Sequence, residues 1–177
     1  MIIVQEVHSK KMRREFVKFP FKLYENSPYW VPPIIREEMA VFESSKNPIL
    51  KDANLKLFLA YKNQKLVGRI AAVINWIEVN EQKNKKMRFG WFDFIDDFQV
   101  SKALLAKVAE IGKSHNLDYM EGPVGFSNLD KVGVLTYGFD QIGSMISWYN
   151  HPYYNCLLYT SDAADDSLRV DLGGRRI

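Results

Sequence analysis

Three side chains able to move protons stand where strands or loops would present them. Glu121 ends an apolar stretch just before Gly122-Pro123, a place where a carboxylate either takes a proton or bonds nearby N–H groups. Asp93 lies among Trp91, Phe92 and Phe94, and alternation puts it on the face opposite Phe92 and Phe94. Burial there would raise its pKa, whereas a salt bridge with Arg88 or a lysine would keep it ionised. Tyr137, in a glycine-containing stretch, offers a phenol that either donates a proton or packs. Other chemistries find less support. His8, His115 and His151 are far apart and lack ligand spacing, so no metal site is expected. Ser127 and Ser144 lack the strand–turn–helix setting of a nucleophilic serine.

These residues need a scaffold, and the chain supplies its pattern. Residues 2–7 read as a short strand, and Ser9 is placed to cap a helix running through Lys18, which Pro20 interrupts or restarts. An extended turn at 26–33 precedes a helix over 34–42, and 44–54 reads as loop. Apolar runs at 55–61 and 66–76 flank the polar 62–65 and form a hairpin, with Gly68 marking a bulge or a close backbone approach. Residues 88–95 are an aromatic strand. Asp96 or Asp97 caps a helix over 98–115, whose Val100, Leu104, Leu105, Val108 and Ile111 recur at helical spacing. Asn116 fits a C-terminal cap, and 117–121 is a further strand.

Composition narrows the class. Residues 156–177 resemble the translation of a sequencing adapter, two fixed blocks separated by a barcode-sized gap, and this tail is set aside as foreign to the fold. It holds three Arg and four Asp, so its removal leaves 21 basic and 17 acidic residues, a balance too weak to point to nucleic acid. The short basic runs at 10–14 and 83–86 read as solvated faces. The only cysteine, Cys156, lies in the tail, which leaves no disulfide and no thiolate nucleophile in the rest. No leader and no membrane-length apolar run is visible, so a cytoplasmic protein with one domain over residues 1–155 is expected.

The order strand, helices, hairpin, strand, helix, strand resembles the GCN5-related N-acetyltransferase (GNAT) fold. More specifically, 26–33, Arg88-Phe89-Gly90-Trp91-Phe92-Asp93-Phe94-Ile95-Asp96-Asp97, Glu121-Gly122-Pro123, Gly138-Phe139-Asp140 and Tyr149-Asn150-His151-Pro152-Tyr153-Tyr154 resemble a family of uncharacterised bacterial GNAT-like proteins about twice this length. The resemblance covers residues 1–154. It implies an α/β architecture, a mixed and mostly antiparallel sheet with helices on both faces, incomplete at its C-terminal end.

The resemblance also implies a reaction, acyl transfer from acetyl-CoA or another acyl-CoA to a small-molecule amine, in a longer protein with a second GNAT-like domain. Pantetheine would then lie against the strand at Trp91, Phe92 and Phe94, and the pyrophosphate against Gln99, Val100, Ser101 and Lys102 at the start of the crossover helix. Glu121 would be the base for the amine, Tyr137 the acid for the leaving thiolate, and Asp93 a third candidate. The family's glycine-rich loop is absent here. Its place reads Asp96-Asp97-Phe98-Gln99-Val100-Ser101, where a carboxylate cap occupies the N–H groups and repels phosphate. The alternative is a non-catalytic GNAT-like module that binds a ligand or pairs with a competent domain downstream.

Overall fold

A computed structural model describes residues 1–127, 129–143, 147–155 and 169–171. Strand β1 (Ile2–Glu6) leads into helix α1 (Lys10–Leu23), whose first turn is capped by the Ser9 hydroxyl accepting from the Met12 N–H at 3.1 Å. Helix α2 (Ile35–Val41) and a 3-10 turn (Pro48–Lys51) precede the hairpin of β2 (Ala53–Lys62) and β3 (Lys65–Asn75). A short helix α3 (Trp76–Asn80), strand β4 (Lys86–Phe94), helix α4 (Phe98–Ser114) and strand β5 (Tyr119–Glu121) follow. Residues Arg169–Asp171 of the tail form β6; residues 156–168 and 172–177 lie outside the described residues.

The six strands lie in the order β1 to β6, antiparallel from β1 to β4 and parallel from β4 to β6. Helices cover both faces. On one, Val100, Leu104 and Val108 of α4 pack on Phe58, Ile70, Ile74 and Phe89. On the other, Phe16 and Val17 of α1 and Phe42 pack on Leu57, Leu59, Val73 and Trp91. Each such side chain, fully buried, contributes roughly 1.5–3 kcal/mol. Among the described residues, no helix is long and apolar enough to cross a membrane.

The hairpin turns on Asn63 and Gln64, both with positive φ, the geometry of a two-residue turn that matches strand twist without an Asn-Gly pair. Gly68 serves both roles expected of it. The β2–β3 register shifts beside it, and a Cβ there would sit 2.9 Å from Leu104 and 3.0 Å from Val100, so α4 could not lie so close. Asn116 adopts the left-handed conformation just past α4.

Two expectations change. Trp76 leaves the hairpin strand and opens α3, with the Asn75 carboxamide accepting from the Ile77 and Glu78 N–H groups. Helix α1 does not stop near Pro20 but runs through it to Leu23. Proline has no N–H to give the Phe16 carbonyl, and the Arg69 Nη1 donates to that oxygen instead, at 2.9 Å. The bond that proline removes is replaced from the sheet.

Candidate functional site

A bulge in β4 sets the chemistry of the α1-covered face. Arg69 pairs with Asp93 and Ala71 with Gly90, so Ile70 of β3 faces two residues of β4, Trp91 and Phe92. The extra residue flips the alternation. Met87 and Phe89 point to the α4 side, yet so do Phe92 and Phe94, while Trp91 joins the α1 side. Trp91 sits at φ +44°, a conformation costing roughly 1–2 kcal/mol for a residue with a Cβ. Edge-on contacts with Phe42, Phe126 and Trp148 and a 2.5 Å bond from its indole N–H to Glu38 offset that strain.

Asp93, two residues on, is turned to the same face and is 6% exposed. Its Oδ2 accepts from Arg69 Nε at 2.7 Å, and Arg69 Nη2 is equally close. Its Oδ1 accepts from the Tyr24 hydroxyl at 2.7 Å. The Tyr24 proton is thereby used, so at 3.2 Å Tyr154 is the donor to Tyr24. Tyr154 in turn accepts from the Phe94 N–H at 3.0 Å. A chain of bonds thus runs from the β4 backbone through two phenols to the carboxylate. Burial, then the charge of Asp93, pushes both phenols well above the usual tyrosine range, so they remain hydroxyl donors at neutral pH.

This network floors a cavity of about 460 Å³. Tyr24, Trp30, Trp148 and Tyr149 wall it, Glu37 and Glu38 come from α2, and Val31, Pro32 and Ile34 form its rim. The volume lies within the range of small-molecule sites, roughly 300–1,000 Å³. Among the described residues, no group of three or more His, Cys, Asp or Glu is placed to hold a metal ion.

A tandem GNAT protein from the clavulanic acid biosynthesis pathway, among solved structures, superposes with a TM-score of 0.57 at 10% identity, over 91% of this chain and 43% of that one. The fold is GNAT-like. No family model matches the chain. By sequence, it is 30% identical over 152 residues to Protein YghO of Escherichia coli (strain K12), a match taking in 86% of this chain and 39% of that protein. It is 27% identical over 128 residues to the bacterial ceramide synthase of Caulobacter vibrioides (strain NA1000 / CB15N), across 72% of this chain and 33% of that enzyme. The matches therefore span between a third and two fifths of those two relatives.

In the GNAT-like frame, β4 and β5 pair only from Lys86–Tyr119 to Arg88–Glu121 and then separate. The gap is filled by the chain itself. Val124 donates to the Phe89 carbonyl at 2.8 Å, and its own carbonyl lies so close to Gly90 that a Cβ there would run into it. Further along, Tyr153 donates to the Phe94 carbonyl at 2.5 Å and Tyr154 accepts from the Phe94 N–H. The side chains of Phe92 and Phe94 are buried in the α4-side core.

The start of α4 is equally occupied. Asp97 accepts from the Gln99 N–H at 3.0 Å and from Lys62 Nζ at 2.6 Å, the lysine bond first among the causes that hold its carboxyl below the usual range. Val100 and Ser101 are buried, Ser101 donating to the Phe98 carbonyl at 2.9 Å; Gln99 and Lys102 face outward, with the Lys102 ammonium 6.0 Å from the Phe98 ring.

Glu121 is bonded by Lys86 at 2.8 Å, with Arg88 at 3.8 Å. Tyr137 is 85% exposed. Asp93 has a different cation from the one expected, since Arg88 is taken by Glu78 and Arg69 fills the role. The residues that sequence reasoning did not single out are Tyr24, Glu38 and Arg69. Arg69 carried a usable signal, a lone cation inside an otherwise apolar strand.

Proposed function

We propose that this chain is one GNAT-like half of a longer bacterial N-acyltransferase, the half that shapes the amine-side pocket while the acyl-CoA is held elsewhere in the protein. The observation that carries the reading is the double use of Phe94. In the arrangement the GNAT resemblance implies, the backbone of β4 beyond the β4–β5 split pairs with the cofactor's amides. Here that N–H and carbonyl are bonded to Tyr154 and Tyr153. The residues present do not fit acyl-CoA, because the carboxylate of Asp97 also stands where a pyrophosphate would need bare N–H groups. No catalytic step is therefore assigned to Glu121, Tyr137 or Asp93 in this half.

Two comparisons bear on the whole protein, the first on its domain arrangement and the second on amide formation. The structural neighbour is a tandem protein of which this chain matches one part. One relative is a ceramide synthase, and a ceramide is the amide of a long-chain amino alcohol. Calorimetric titration of acetyl-CoA and palmitoyl-CoA into the 177-residue chain tests the assignment. The expected result is no heat of binding to the folded chain, with binding restored in the full-length protein. A micromolar Kd for the short chain would move the cofactor into this half and sink the reading.

A further inference from the structure

We infer that the cavity on the α1-covered face binds a long-chain amino alcohol, ammonium and hydroxyl inward and hydrocarbon toward the rim. The inference rests on the proposed amide-forming function and names the acceptor it would use. Charge decides the sign of the ligand. Of the ionic side chains at the cavity, Arg69 and Asp93 neutralise each other at 2.7 Å, leaving Glu37 and Glu38 against Lys131. The Lys131 ammonium lies over the Trp148 ring, 5.3 Å from its centroid. A cationic head is favoured and a carboxylate head opposed. Glu38 is already positioned, since Trp91 donates to its Oε1 at 2.5 Å; a carboxylate accepts several bonds, so this one leaves capacity for an ammonium. In the same wall the Tyr24 ring stands 5.4 Å from that of Trp30 and 5.3 Å from that of Tyr149, an aromatic lining that suits a cation.

Trp148 gives the second, independent indication. Its indole N–H is buried and has no acceptor among the described residues, a rare state that points to an oxygen brought by a ligand. Its ring contacts Trp91, whose own N–H holds Glu38, so an acceptor beside the amine nitrogen is the chemistry that satisfies both groups at once. The rim defines the rest of the ligand. Val31 is 60% and Ile34 62% exposed, next to Pro32, and together they form an apolar lip over which a hydrocarbon chain would lie.

The test uses the 177-residue chain in a mild nonionic detergent and follows tryptophan fluorescence as sphinganine, hexadecylamine, ethanolamine or palmitate is added. Sphinganine should bind best, hexadecylamine several-fold more weakly, and palmitate and ethanolamine about tenfold or more weakly. Glu38→Gln keeps an oxygen for the Trp91 N–H and should lower amine affinity about tenfold while leaving palmitate unchanged. Trp148→Phe should erase the preference for sphinganine over hexadecylamine. Palmitate binding as tightly as sphinganine, or a natively folded Glu38→Gln chain with unchanged amine affinity, would overturn the inference. Binding of acyl-CoA to the same chain would instead overturn the proposed division of labour and leave the amine pocket standing, so the two failures are distinguishable.

Discussion

Replacing Asp93 with Asn removes one charge from a pair that is almost wholly dehydrated, Arg69 being 3% and Asp93 6% exposed. The amide keeps the shape of the carboxylate but turns an NH2 toward either Tyr24 or Arg69, both of which donate to Asp93. Breaking one side of a buried ion pair costs about 3–5 kcal/mol, because the partner charge stays buried without compensation. Against a total stability of roughly 5–15 kcal/mol, such a loss brings a chain of this size close to unfolding at ordinary temperature. Arg69→Met should cost at least as much, since it also removes the donor that stands in for the missing Pro20 N–H at the Phe16 carbonyl. The Arg69→Met/Asp93→Asn double variant leaves no orphaned charge and should recover much of the loss. Urea unfolding followed in parallel by tryptophan fluorescence and far-ultraviolet dichroism gives the four stabilities of the cycle. A single-variant cost below about 1 kcal/mol, or a double variant as unstable as the sum of the singles, would refute the view that the pair is coupled and dry.

Tyr154→Phe removes the acceptor of the Phe94 N–H and the donor to Tyr24, and should lower stability by about 1–3 kcal/mol in the same urea assay. Gly90→Ala sets a methyl against the Val124 carbonyl and should cost about 1–3 kcal/mol, visible as a lowered Tm; an unchanged Tm would mean that the segment after β5 does not close on β4 as described. Tyr24, Tyr153 and Tyr154 are all pushed up, burial first among the causes, so the unfolded chain loses these protons before the folded one. Their stabilising contribution is complete below pH about 10 and falls as pH rises past it. Absorbance titration at alkaline pH should therefore show these three of the nine tyrosines ionising only together with unfolding.

Local patterns told most of the fold. The hairpin and α4 announce themselves by period and polar breaks, and Gly68 marks the close approach it makes. What was not legible depends on partners distant in sequence. Pro20 reads as a helix breaker because a local rule counts only the lost N–H, and the replacement donor Arg69 comes from 49 residues away. Arg88 was a natural partner for Asp93 by proximity along the strand, but Glu78 of α3 claims it. Nothing in residues 91–94 says that two tyrosines some sixty positions later will use the Phe94 backbone. The cavity was hidden for the same reason, being assembled from α1, α2, the 29–34 stretch and the residues around 148.

The bulge at Trp91 links these separate findings to one cause. In an unbroken strand, Phe89, Trp91 and Asp93 would share the α4-covered face, and Asp93 would be driven into an apolar core with no cation opposite it. One inserted residue turns Trp91 and Asp93 to the α1 side, where Arg69 is in register and Tyr24 within reach. The same shift brings the Trp91 indole N–H to Glu38 and its ring against Trp148, so the wall and the floor of the cavity arise together. It also turns Phe92 and Phe94 inward to the α4 core, beneath Tyr154, which then lies over the strand and takes the Phe94 N–H. On this reasoning, opening the α1-side pocket and closing the β4–β5 gap are two consequences of a single extra residue.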